Sequence, residues 1–187
     1  MNVSCSNTDL LNGSNQVTVI MKTELGKIVL QIDRENAPIT SANFLRNVDE
    51  KRYDNSSFYR AVRMDNQAEN EIKIEIIQGG LGPLEADLRL PPIDHEATSN
   101  TGILHENGTI SMARAEVGTA SSEIFICLGD QPELDYMGSR NPDGQGYAAF
   151  GHVIKGMDVV RKIQGQATEK QMLMEPVKIF SVKRRLF

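Results

Sequence analysis

The sequence predicts a mostly β fold, a closed antiparallel barrel of about eight strands capped by two short α-helices. Three observations predict it. Short apolar runs alternate with polar residues at period two, as at Val17, Val19 and Met21 or at Ile72, Ile74 and Ile76. Only two segments carry helical spacing, and they lie far apart in the chain. Strands and helices do not alternate in the rhythm that builds a parallel sheet, and closure into a barrel is how antiparallel strands lose their edges.

The elements follow in order. Residues 1–16 are rich in Asn and Ser and carry no period, so a flexible tail is expected there, with one domain over residues 17–187. Val17 to Met21, a turn at Gly26 and Ile28 to Asp33 read as a hairpin. Pro38, with Thr40 and Ser41 as capping candidates, opens a helix carrying Phe44, Leu45 and Val48 and ending near Tyr53. Two strands are expected over Phe58 to Met64 and Glu71 to Gln78, joined by a polar turn at Asp65 to Asn70. Residues 79–107 are punctuated by Gly and Pro and read as irregular. Strands are expected at Gly108 to Arg114, Glu123 to Leu128, Tyr147 to Ile154 and Val177 to Arg185, with a long loop from Gly129 to Gly146. Met157, Val160 and Ile163 mark the second helix, with Gly165 as its C-cap. No internal repeat and no second domain is visible.

Composition narrows the function. The chain has 187 residues, 40% of them hydrophobic, which supports one domain with a substantial core. Its formal net charge of -5 argues against a nucleic-acid partner. The one basic cluster, Lys183 to Arg185, reads as a solvated strand end. No run approaches the roughly 20 apolar residues of a membrane-spanning helix. Cys5 and Cys127 do not form a disulfide framework or complete a zinc site, and no secretory signal is read, so a cytoplasmic location is expected. His95, His105 and His152 lack metal-ligand spacing, and neither a metal nor a cofactor is expected. Gly144 to Ala149 matches G-x-G-x-x-A but opens a strand, so the dinucleotide reading fails. Ser-His-Asp chemistry lacks a nucleophile elbow here.

Several segments, in order, resemble one family. They are Ala37-Pro38-Ile39-Thr40 with Asn43-Phe44-Leu45, then Phe58-Tyr59-Arg60, Ile77-Gln78-Gly79-Gly80 and Gly108 to Ala113. Ser122 to Ile126, Leu134-Asp135, Phe150-Gly151 and Gly156 to Val160 complete the set. The chain from about Val17 to Phe187 thereby resembles the cyclophilins, prolyl isomerases, and its Asn141 to Gly146 loop resembles bacterial members. The resemblance implies an eight-stranded barrel with the active site on its outer face. It places the catalytic arginine at Arg60 and its partner glutamine at Gln78, and the apolar proline pocket at Ile76, Phe125 and Leu134. Ala113 falls where backbone meets the residue before proline. Phe58, Arg114, Glu123 and Tyr147 are further candidates for substrate contact. The implied partners are proline-containing peptides and unfolded or exposed protein segments, met by a monomer.

The chemistry suits those residue types. Rotation about X–Pro breaks amide resonance across a barrier of roughly 18–20 kcal/mol. No covalent bond breaks, so the site needs only to bind the twisted amide better than either planar form. The proline nitrogen regains its lone pair on twisting, and a fixed guanidinium can donate to it only then.

Several positions depart from the family pattern. Glu123 stands where the family often has Gln, Arg114 where it has Asn, Glu75 where it has Phe, Glu133 where it has Trp and Tyr147 where it has His. Arg114 and Glu123 are expected to form an ion pair; the alternative has Glu123 pairing with Arg60. Loss of the tryptophan predicts weak or no cyclosporin binding. The stretch between Arg60 and Gln78 is longer than usual and is expected to overhang the groove. Two rival readings stand beside isomerisation. One is a module that grips proline segments without turning them. The other is a barrel recruited to a small molecule or to hydrolysis, which would require ionisable groups clustered in one pocket.

Overall fold

The computed structural model describes residues 15–82 and 88–185. The chain runs β1 (Gln16–Thr23), β2 (Gly26–Asp33), α1 (Pro38–Asp49), β3 (Ser57–Val62) and β4 (Ile76–Gly80). It continues through α2 (Thr98–Thr101), β5 (Thr109–Met112), β6 (Ile124–Cys127), a 3₁₀ turn (Pro132–Leu134), β7 (Ala148–Lys155), α3 (Met157–Gln164), β8 (Thr168–Glu169) and β9 (Met172–Arg184). Every pairing is antiparallel, in the order β1-β2-β7-β5-β6-β4-β3-β9-β8, and β1 also pairs with β9. Eight strands therefore close on themselves, as the alternating patterns predict, and β8 is a two-residue appendage on β9.

Alternation along each strand sends one side chain in two to the interior. Val19, Met21, Ile28, Leu30, Ile32, Ile77, Ile110, Ile126, Phe150, Ile179 and Val182 all belong to one core. The helices complete it. Phe44 of α1 meets the rings of Phe150 and Tyr53 at centroid distances of 5.1 and 5.5 Å. Val159, Val160 and Ile163 of α3 join the same cluster.

Several boundaries differ from the sequence expectation. Of the expected tail, residues 1–14 lie outside the described residues; Gln16 already pairs with Asp33 in β1. Helix α1 stops at Asp49, and Lys51 turns the chain with φ 56°. Residues 71–75 are not strand, although their isoleucines alternate. The Gln67 side chain takes the place of a neighbouring strand: its Nε2 donates to the Ile74 carbonyl (2.7 Å) and its Oε1 accepts from Ile74 N (3.3 Å). The closing strand starts at Met172, five residues before Val177, because β8 and β3 both pair with its early part. Gly165 does cap α3, in the right-handed region.

The cap of α1 is not local. Pro38 is its first helical residue, and neither Thr40 nor Ser41 caps it. The carboxylate of Glu96 does so instead, accepting from Ile39 N (3.2 Å), Thr40 N (2.7 Å) and Thr40 Oγ1 (2.6 Å). It satisfies free helical N–H groups with a charge suited to the helix N-terminus, from a residue that is itself buried. Glu96→Ala should lower unfolding free energy by about 2 kcal/mol and Glu96→Gln by about half that. Urea titrations check this, and an unchanged midpoint for Glu96→Ala would refute it.

Candidate active site

The site is a row of cross-strand neighbours on the outside of the barrel. Arg60 on β3 lies opposite Gln78 on β4, Gln78 opposite Phe125 on β6, and Phe125 opposite Ser111 on β5. Residues directly opposite share a face, so register alone delivers a guanidinium, an amide and an aromatic ring side by side. One row away, Val62, Ile76 and Cys127 are likewise aligned. With Ile74, Phe125 and Leu134 they form a second apolar cluster, distinct from the core, against which Ala113 and Tyr147 pack.

A β-bulge sets the chemistry of β3. Phe58 faces Gly79 and Arg60 faces Gln78, so Tyr59 is an extra residue on that strand. Strict alternation would put Phe58, a candidate for substrate contact, on the same face as Arg60. The bulge reverses this. Phe58 is fully buried in the barrel core and does not line the groove. Tyr59 instead joins Arg60 beside Gln78.

Arg60 is held by neutral partners on both sides. Its Nη1 donates to Gln78 Oε1 (2.7 Å), while its Nε and Nη2 donate to Gln171 Oε1 (3.1 and 2.5 Å). Burial is the largest influence on its pKa and lowers it, yet a guanidinium so placed stays charged. The chain of bonds continues. Gln78 Nε2 donates to Tyr59 Oη (3.0 Å), and Tyr59 Oη donates to Glu123 Oε2 (2.7 Å). Burial first, and the Glu123 charge second, push the Tyr59 phenol above its ordinary value, so it remains a donor. Glu123 Oε1 also accepts from Gly82 N (3.0 Å) and Ser122 Oγ (3.1 Å).

Neither expected pairing of Glu123 forms. Arg114 turns the other way, to Asp143 (2.7 and 2.9 Å) and the Gly146 carbonyl (2.9 and 2.6 Å). That guanidinium holds the Asp143 carboxyl below its usual range. The Glu123–Arg60 alternative fails as a direct contact, since Tyr59 and Gln78 stand between them. The only cation near Glu123 among the described residues is Arg89, at 3.7 Å.

Two depressions share Gln78, Ala113 and Arg114. The smaller, of about 110 Å³, is walled by Ile74, Ile76, Phe125, Leu134 and Tyr147, with Arg60 and Arg140 at its margin. Tyr147 meets Phe125 edge-on (5.4 Å, 89°), and Arg114 lies 5.1 Å over the Tyr147 ring. The larger, of about 290 Å³, runs past Thr119, Ser121 and Glu123 to Arg89. The long segment after Arg60 flanks the groove rather than covering it: Ile74 forms a wall, and residues 65–70 border a third depression beyond Arg60.

Sequence reasoning missed three contributors. Tyr59 lies within a quoted segment but shows its role only through the bulge. Gln171 is 111 residues from Arg60, and nothing in the sequence marks it. Arg140 reaches the pocket from the 129–146 loop, its Nη1 donating to the Ile72 carbonyl (2.5 Å).

The ionisable cluster required by the hydrolytic reading does exist. His105 Nδ1 lies 2.7 Å from Asp135 Oδ1, and His105 Nε2 lies 3.0 Å from Ser111 Oγ. It is sealed behind Phe125, whose ring stacks on His105 at 5.8 Å. Ser111 is fully buried and His105 is 1% exposed, so no scissile bond can reach the hydroxyl. Cys127 is buried too, which pushes its thiol pKa up and keeps it unreactive. Among the described residues, no group of three or more His, Cys, Asp and Glu is placed to hold a metal ion.

A barrel with an apolar pocket and a fixed guanidinium on its outer face defines a protein that grips a small apolar ring beside a polarisable amide. Comparison gives that class its family. The model of the cyclophilin type peptidyl-prolyl cis-trans isomerases matches residues 18–184, and the chain belongs to that family. A peptidyl-prolyl cis-trans isomerase of Streptomyces antibioticus is 34% identical over 173 residues, covering 89% of this chain and 97% of the relative. Peptidyl-prolyl cis-trans isomerase B of Escherichia coli is 34% identical, covering 85% of this chain and 91% of its own length. The crystal structure of a Cryptosporidium parvum cyclophilin superposes with a TM-score of 0.72 at 18% identity, over 92% of this chain and 99% of that one. The fold and the family expected from the sequence are thus both established, and the activity is prolyl isomerisation.

Proposed function

We propose that X–Pro bonds turn in the groove between Arg60 and Phe125. One observation carries the reading: a charged guanidinium, fixed on two sides by Gln78 and Gln171, stands at the rim of an apolar pocket of proline size. The pyrrolidine ring sits against Phe125, Ile76 and Leu134, and the preceding residue runs over Ala113. As the amide twists, Arg60 donates to the proline nitrogen, a bond that neither planar form can accept. Arg60 is prevented from collapsing onto a carboxylate because both of its anchors are neutral amides.

The test is exchange NMR on an N-acetylated, amidated Ala-Pro peptide. Wild type should accelerate cis–trans exchange, and Arg60→Ala should abolish most of the acceleration. Peptide shifts that change without faster exchange would instead support the module that grips proline without turning it.

Glu123 and Tyr59 act on this chemistry as positioning residues, through Gln78. Tyr59→Phe and Glu123→Gln should each lower kcat by about tenfold with KM little changed, and the double variant should do no more than either alone. Additive losses would show that the two act separately. The reading extends to exposed proline segments of other chains as substrates, met by a monomer in the cytoplasm, assisting their folding. Pairing of β1 with β9 supports the monomer, since among the described residues it leaves only the two-residue β8 as an edge. Glu133, whose carboxylate accepts from Ser139 N, stands where a tryptophan would face cyclosporin and supports weak binding of that drug.

A further inference from the structure

The proline pocket carries a surplus of positive charge on one side. Three guanidiniums, those of Arg60, Arg114 and Arg140, border it, and no carboxylate does. Arg114 is neutralised by Asp143. The other two are not. Among the described residues the Arg60 guanidinium bonds only to the amides of Gln78 and Gln171, and that of Arg140 only to the Ile72 carbonyl. Both are partly buried, and among the described residues neither has a carboxylate within ion-pair distance. Burial, the largest influence, lowers the pKa of Arg140; Tyr147 raises it and the charge of Arg60 lowers it.

A partly desolvated guanidinium without a carboxylate partner is an electrostatic cost, which an anion beside Arg140 would lower. A planar guanidinium fork matches a carboxylate through two parallel N–H bonds. The direction of the groove says where that carboxylate is carried. On the isomerase reading the residue before proline runs over Ala113, which lines both depressions, so the chain before proline enters the larger one. Arg140 is absent from that side and stands with Ile74 and Leu134 at the other, so the chain leaves past it after proline.

We propose that Arg140 forms a carboxylate subsite selecting substrates that carry an anion immediately after the proline ring, while Arg60, held by Gln78 and Gln171, is left to the proline nitrogen. That anion is the side chain of an acidic residue following proline, or the terminal carboxylate of a chain ending in proline. This inference rests on the isomerase reading and names its substrate class.

The test compares four N-acetylated peptides by exchange NMR: Ala-Ala-Pro-Glu-Ala and Ala-Ala-Pro-Gln-Ala, both amidated, and Ala-Ala-Pro with a free or an amidated terminus. Wild type should favour the Glu peptide over the Gln peptide by about fivefold in kcat/KM at low ionic strength, chiefly through KM. The ratio should approach one in Arg140→Gln, stay above one in Arg140→Lys, and shrink in molar salt, where the screening length is about 3 Å. Ratios are taken within each protein, so a general loss from altered folding cancels. Preference for Glu assigns the side-chain carboxylate, and preference for the free terminus assigns the terminal one. Equal turnover of all four peptides by wild type would overturn the subsite and leave isomerisation standing. A preference that survives in Arg140→Gln would overturn the role of Arg140, and no acceleration of any peptide would overturn both readings.

Discussion

Arg60→Lys should lose about 10²–10³ in kcat/KM, nearly as much as Arg60→Ala, while peptide affinity changes little. The lysine keeps the charge, so retained activity would mean that any nearby cation suffices. The geometry argues otherwise. Arg60 engages Gln78 through Nη1 and Gln171 through Nε and Nη2, so both edges of the fork are held and its orientation is set. An ammonium is a point charge on a flexible stem and cannot hold both amides while presenting a donor to a nitrogen that becomes basic only midway through rotation. Exchange NMR gives the rate, and peptide titration gives the affinity. A rate within threefold of wild type for Arg60→Lys would show that field, not fork geometry, drives rotation.

Gly151→Ala should destabilise the barrel by about 3 kcal/mol without touching the groove. Gly151 lies on β7, opposite Ile32 on β2 and Ile110 on β5. A Cβ there would sit 2.3 Å from the Gln31 carbonyl oxygen and 3.1 Å from Ile32 Cα. Both are ladder backbone, and moving them means opening the sheet where β2 and β7 join. The cause is steric, since Gly151 is not among the glycines with positive φ. For a domain of this size the loss corresponds to a melting point lower by about 10 °C. Denaturant titration should show a lower midpoint with an unchanged slope. A midpoint like wild type would mean that β2 and β7 separate at little cost.

Much of this was readable before the fold was known. The hairpin, both longer helices and most strands follow from apolar spacing, because barrel strands must alternate and capping helices must present one apolar face. The ordered segments single out Arg60, Gln78, Phe125, Ile76 and Leu134, and strand register and packing bring them together on the outside of the barrel. The failures have specific causes. Phe58, a candidate for substrate contact, lies in the core because a single extra residue at Tyr59 inverts the alternation, and a bulge leaves no mark in the hydrophobic pattern. Residues 71–75 alternate like a strand, but Gln67 supplies the hydrogen bonds a neighbouring strand would have made. Glu123 and Arg114 have complementary charges at adjacent sites, yet each has a better partner, Tyr59 and Asp143 respectively.

What the sequence by itself determined is the set of strands, the faces most of them bury and the residue types the groove would hold. These depend on short-range spacing, which a chain displays whether or not it is folded. Only the tertiary structure decided how those groups are coupled. Gln171 reaches Arg60 across 111 residues, Glu96 caps a helix 56 residues before it, and Arg140 arrives at the pocket from a loop with no local signal. Such contacts are chosen by closure of the barrel, which brings distant backbone to one place, and by competition among partners once there. Neither is a property of any segment alone.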